Sequence, residues 1–175
     1  MAREIPERYR WAVGLLNVRP DDYILEIGCG RGQMIGFICQ RLVSGRVTAI
    51  DRSETMVDAA RRSNESDVAS GKAEILHQEL LDARLPPASF DKIFLFNINA
   101  FWMDPVAELA EVRRLLKPGG SFHLFHQPPP DHEIEEFVNR FKLNLEKNGF
   151  QVDSAAVESI AGTELACVVS RPSPL

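Results

Sequence analysis

Ile24–Gln33, ILEIGCGRGQ, narrows the possible folds more than any other stretch of the chain. An apolar run meets an acid, Glu26, and then glycines at 28, 30 and 32. A short run that is apolar on both faces suits a buried strand. A strand that ends in closely spaced glycines turns sharply into whatever follows. The next stretch, Gln33 to Val43, reads as a helix. Strand, glycine turn and helix together open a βαβ unit.

The alternation continues. Tyr23–Gly28, Arg46–Asp51, Ala73–Glu79, Lys92–Asn97 and Ser121–His126 are short runs rich in Ile, Val and Phe, and they predict strands. Glu54–Arg62 predicts a helix with Ser53 as N-cap. Pro105–Leu116 predicts another, with Asp104 as N-cap and KPGG as its C-terminal stop. Asp131–Asn148 predicts a third, closed by Gly149, and Pro6–Leu16 predicts a lead-in helix. Leu80–Phe90 contains Pro86 and Pro87 and predicts a loop in place of a crossover helix. Two extended stretches flank IAGT near the end and should pair antiparallel. The expected fold class is α/β, a doubly wound, mostly parallel sheet. The 175 residues suffice for one core, so a single domain is expected. Residues 1–20 would form the lead-in helix, 21–128 a cofactor-binding core, and 129–175 the last helix and strand pair.

Charge and cysteine usage exclude some classes. The net charge of -5 argues against a nucleic-acid backbone or an anionic membrane as the main partner. Cys29, Cys39 and Cys167 form no CxxC and fit free thiols in a reducing cytoplasm. No run reaches the length of a membrane span, the first residues have no apolar core of a signal peptide, and no metal-ligand cluster stands out.

The glycine turn should hold a ligand outside the carboxyl ends of the strands. A dinucleotide fingerprint would place a third glycine at position 33, which is Gln. A pyrophosphate wants bare amides at a helix start, and Glu26 opposes it. An acid at this turn suits a cationic head. Asp51 ends the second strand, where a carboxylate accepts hydrogen bonds from a ribose diol. An adenosine with a positively charged tail satisfies both, and S-adenosylmethionine is such a molecule.

LEIGCGRG, VTAIDRSETM, LPPASFDKIF and ELAEVRRLLKPGG occur in this order, over roughly Tyr9 to Phe125. With these segments the chain resembles the class I S-adenosylmethionine-dependent methyltransferases, close to the small bacterial type 11 group. The resemblance implies a Rossmann-like sheet of about seven strands with an antiparallel C-terminal strand. It also implies site residues. Glu26 and the turn through Gly28, Cys29, Gly30 and Gly32 would hold the methionine end, and Asp51 the ribose. Arg52 and Met56 would border the adenine. Glu79 and Leu80 would stand where the family has an Asp that meets the adenine amino group, with Asp82 as a rival. Asn97 would lie beside the methionine part. Plainer readings stand beside three of these: Asp51 as an exposed strand-end acid, Met56 as core and Glu79 as a surface acid.

Methyl transfer from a sulfonium needs an aligned acceptor and sometimes a base. Trp11, Asn99, Phe101, Trp102 and His126 are candidates for the acceptor side. His126 is a candidate base, or a strand-end histidine with a structural bond. The motif (D/N)PPY is missing after the fourth strand, which reads NINAFW, so a small-molecule acceptor is expected. The chain is short for this family, so the site is either shallow, covered by the helix of Trp11, or completed by a second subunit in a homodimer. The competing readings are a non-catalytic S-adenosylmethionine-binding or partner module and a nicotinamide-dependent oxidoreductase.

Overall fold

The computed structural model describes residues 6–129 and 132–174. One seven-stranded sheet runs in the order β3-β2-β1-β4-β5-β7-β6. Its strands are β1 (Tyr23–Ile27), β2 (Arg46–Asp51), β3 (Ala73–His77), β4 (Phe90–Phe96), β5 (Leu116–His126), β6 (Phe150–Ile160) and β7 (Thr163–Pro172). The first five pair in parallel, and β7 lies antiparallel to both β5 and β6. The helices are α1 (Glu7–Leu16), α2 (Ile35–Cys39), α3 (Glu54–Ser63), α4 (Glu65–Ala69), α5 (Val106–Leu115) and α6 (Ile134–Lys147).

Alternate residues of each central strand feed two cores. Leu25, Ile27, Ile93, Leu95, Phe122 and Leu124 pack with α5 and α6. Ile24, Val47, Ala49, Ile75, Phe94 and Phe125 pack with α1, α2 and α3. The strand order reverses at β1, so β2 and β4 diverge to either side of it. That divergence opens a crevice at the strands' carboxyl ends.

Most expected elements are present. Between Leu80 and Phe90 the only helical piece is a single 3-10 turn, Leu80–Asp82, in line with the two prolines. The hairpin between β6 and β7 turns at Ala161 and Gly162, both with positive φ, as two-residue hairpin turns favour.

Four details differ from expectation. The helix after the glycine turn spans five residues instead of eleven. Ile35 and Ile38 are β-branched and Gly36 is flexible, so packing holds this short helix and propensity does not extend it. Asp104 does not cap α5 with its side chain; Pro105 takes the N-cap position and the Asp104 backbone carbonyl accepts from Val106 N. KPGG does not close α5 as a helical stop. It enters β5 through a register shift against Phe90 and Lys92, where Lys117 reaches Asp91 at 2.7 Å. The expected start of the last helix at Asp131 lies outside the described residues, and α6 begins at Ile134.

The short α4 was not anticipated. The bend between α3 and α4 places Asn64, 6 % exposed, under the glycine turn. Its Nδ2 donates to Gly32 O at 3.0 Å and to Ala60 O at 2.8 Å. A Cβ at Gly32 would stand 2.7 Å from that same Nδ2 and 3.0 Å from Ala60 Cβ. Asn64→Ala removes the donor from two carbonyls and is expected to cost about 1–3 kcal/mol of stability. Denaturant unfolding reads this as a lowered midpoint at unchanged slope, and an unshifted midpoint contradicts the role.

Candidate functional site

A cleft of about 560 Å³ opens where the crevice was expected. Ile27 and Gly28 form its floor, and Ile50, Asp51 and Arg52 one wall. Gln78 to Leu81 follow β3 on that side, and Asn97, Ile98, Ala100 and Phe101 follow β4 on the other. Glu108 of α5 also lines the cleft.

Gly28 N and Cys29 N both donate to Ile50 O, at 2.8 and 3.0 Å, so the glycine turn is bound to β2. Asp51 reinforces this. Its Oδ2 accepts from Gly30 N at 2.8 Å and its Oδ1 from Ser53 N at 2.9 Å. Each oxygen keeps a second acceptor site, and the residue is half-buried. Gly28 has a positive φ and lies against the end of the Ile98 side chain, so a Cβ there would be strained and would force Ile98 to move.

Glu26, on β1 two residues before the turn, is 4 % exposed, and like Cys29, Gly30 and Gly32 it is not among the residues that line the cleft. Its Oε2 is buried without a hydrogen-bond partner among the described residues. Burial pushes its carboxyl up to about 8, and the Asp51 charge adds to the effect. A buried acid with an unused oxygen costs free energy unless something cationic meets it. Cys29, beside it, is also buried. Desolvation, then the charges of Glu26 and Asp51, hold its thiol well above the usual range, so it is no nucleophile.

The other sequence candidates divide. Arg52, Glu79, Leu80, Asn97 and Phe101 line the cleft. Met56 is half-buried on α3 and is not part of the lining. The Asn99 backbone forms a 3-10 turn after β4, and its side chain lies outside the described residues. Trp11 packs edge-on against Phe125 at 5.9 Å, on the α1 side of the sheet. Trp102 lies on Phe137 at 4.1 Å, under Arg140.

His126 is placed away from the expected role of base. It stacks on Phe137 at 4.0 Å beneath α6, with its Nε2 unpartnered, and it does not line the cleft. Strand alternation explains this: His126 shares the face of Phe122 and Leu124. Desolvation holds it down at about 4, and desolvation with Lys92 nearby does the same for His123, against an ordinary 6.5. Both rings are neutral when folded and bind protons when unfolded. Their contribution is therefore intact above pH 6.5 and is lost as pH falls toward 4. The expected loss approaches about 1.4 kcal/mol per pH unit for each histidine. Denaturant midpoints at pH 6.5, 5.5 and 4.5 should fall in that order, and a flat profile refutes it.

Sequence reasoning did not find Gln78, Ile98, Ala100 or Glu108. Gln78 follows β3 directly, and its Oε1 is buried and unpartnered at the cleft wall. Its place beside Glu79 was a usable signal. Glu108 gave none, since only the packing of α5 brings it to the cleft.

The family model described as a methyltransferase domain matches residues 24–120, more than half of the chain. The chain belongs to the methyltransferase family. The methyltransferase YdaC of Bacillus subtilis (strain 168) is 30% identical over 73% of this chain and 68% of its own length. Nocamycin O-methyltransferase of Saccharothrix syringae is 29% identical over 88% of this chain and 53% of its own. A 37.1 kDa protein in transposon TN4556 of Streptomyces fradiae is 36% identical over 60% of this chain, which spans 30% of that relative. The solved S-adenosylmethionine-dependent methyltransferase from Aquifex aeolicus superposes with a TM-score of 0.75 at 20% identity, covering 93% of this chain and 88% of that one. The last likeness is one of fold. Among the described residues of this methyltransferase, no helix is long and apolar enough to cross a membrane.

Proposed function

We propose that this methyltransferase binds S-adenosylmethionine in the 560 Å³ cleft and transfers its methyl group to a small-molecule acceptor. Glu26 carries the reading. A buried carboxyl with a free oxygen under a glycine turn is a receptor for an ammonium. Asp51 keeps an acceptor site on each oxygen for the two ribose hydroxyls. Arg52 and Leu80 would flank the adenine, and Gln78 and Glu79 offer acceptors for its amino group.

When bound, the cofactor supplies a methyl carbon on a sulfonium; an acceptor lone pair forms the new bond, and the carbon–sulfur pair stays on sulfur. The protein's part is to align the acceptor and exclude water. Glu108 is the carboxylate that α5 brings to the cleft lining, and it is a better placed proton acceptor than His126, which does not line the cleft.

Calorimetric titration with S-adenosylmethionine, S-adenosylhomocysteine and NAD in parallel tests the reading. Binding of the first two with NAD silent supports it, and labelled methyl donor then screens acceptors. Silence from all three overturns it in favour of a partner module.

A further inference from the structure

We propose that a second cavity, beside the cofactor cleft, receives the methyl acceptor, and that Arg8 there binds a carboxylate on it. The inference rests on the cofactor reading above. The cavity, about 270 Å³, lies between the start of α1 (Pro6, Arg8), Gln127 after β5, and the β6–β7 turn (Ala161, Thr163).

Arg8 brings a cation to it. The side chain is half-buried. Its Nη2 donates to the Tyr9 hydroxyl at 3.1 Å, and its guanidinium lies 4.7 Å over the Tyr9 ring. Its Nε is buried and has no hydrogen-bond partner among the described residues. These contacts hold the cation in place; Nε is shut off from the cavity, so the terminal Nη1 and Nη2 groups are the donors a ligand there would meet. A planar carboxylate satisfies such a fork better than any neutral group. Glu7 also lines the cavity, but it is exposed and makes no ion pair with Arg8 among the described residues. Ile160 and Leu165 give apolar contact for the body of the ligand.

The cavity's position suits an acceptor. Gln127, in its wall, donates its backbone N–H to Asn97 Oδ1 at 2.7 Å, and Asn97 lines the cofactor cleft. One hydrogen bond thus joins the wall of one space to the wall of the other. On the opposite side, the Tyr9 hydroxyl that Arg8 contacts donates to Gln33 Oε1, directly after the glycine turn. Arg8 is fixed relative to the turn through that chain of bonds. The acceptor class is a small acid whose carboxylate is anchored at Arg8 while another of its atoms faces the cleft.

The test uses the full chain saturated with S-adenosylhomocysteine and titrates benzoate, salicylate and salicylamide. One or both carboxylates should bind in the millimolar range or better, and salicylamide roughly tenfold more weakly or not at all. Arg8→Gln should weaken carboxylate binding at least tenfold and leave S-adenosylhomocysteine affinity within about twofold, with Arg8→Lys intermediate. Equal binding of salicylate and salicylamide, no binding by either carboxylate, or unchanged binding in Arg8→Gln overturns the proposal. So does a loss of S-adenosylhomocysteine affinity in Arg8→Gln, which would assign Arg8 to the cofactor. Failure of the wild-type chain to bind S-adenosylhomocysteine sinks the cofactor reading instead, and is seen before any acid is added.

Discussion

Asp51→Ala is expected to weaken S-adenosylmethionine binding by roughly 100-fold in calorimetric titration. Two hydrogen bonds to a charged acceptor are lost, each worth about 1.5 kcal/mol net at the low end, and every 1.4 kcal/mol is tenfold. The substitution also frees Gly30 N and Ser53 N, which Asp51 holds at 2.8 and 2.9 Å. The sequence suggested a role toward the ribose alone. The structure adds a second one, since the same carboxylate orders the turn. Asp51→Asn separates the two. It keeps one acceptor oxygen and most of the turn, so its unfolding midpoint should lie closer to wild type than that of Asp51→Ala. Unchanged affinity in both variants would remove Asp51 from the site.

The second large effect is a pH dependence set by Glu26. Its carboxyl stands at about 8 in the free protein, against an ordinary 4.5, so below pH 8 it carries a proton. Pairing with the cofactor's ammonium requires the carboxylate, and binding must then release that proton. Affinity should tighten as pH rises from 6 toward 8, approaching tenfold per unit. Above about 8 the ligand's own α-amino group loses its proton and affinity falls again. Glu26→Gln should flatten the rising limb and cost about 2–5 kcal/mol of binding at pH 8. Titrations in buffers of different ionisation enthalpy count the released proton directly; a count of zero at pH 7 refutes the pairing. The linkage has the opposite sign for the empty protein. A raised folded pKa means stability that is complete below 4.5 and lost as pH climbs through 8. With the two buried histidines acting from the acid side, the empty protein should be most stable near pH 6.5.

The sheet was legible because its strands are short, apolar on both faces and separated by proline or glycine. ILEIG, RVTAID and KIFLF stand out against polar flanks, and the IAGT turn predicted the reversed final strand. Element ends were less legible. Propensity does not reveal that α2 stops after five residues, or that KPGG bends into β5, because tertiary contacts such as Lys117 with Asp91 decide both. The cleft divides the same way. Gly28 and Asp51 are local to strand ends, so their place in the cleft could be read from spacing, while Glu26, Gly30 and Gly32 stay outside its lining. Ile98 and Glu108 reach the cleft through the path of one loop and the packing of one helix. Asn64 supports the turn from thirty-two residues away, a contact no local pattern encodes. The face of His126 was readable, since it keeps step with Phe122 and Leu124; its distance from the cleft was not.

The glycine turn is sutured from both sides. Asn64 holds the carbonyl of Gly32 and Asp51 the amide of Gly30, while Ile50 O takes two further amides. Flexible residues are thereby given a single shape before any ligand arrives. The turn belongs to the same cooperative unit as the central strands. Its amides should exchange with solvent as slowly as those of β1 and β2, and ligand arrival should meet a rigid receptor with little ordering left to do.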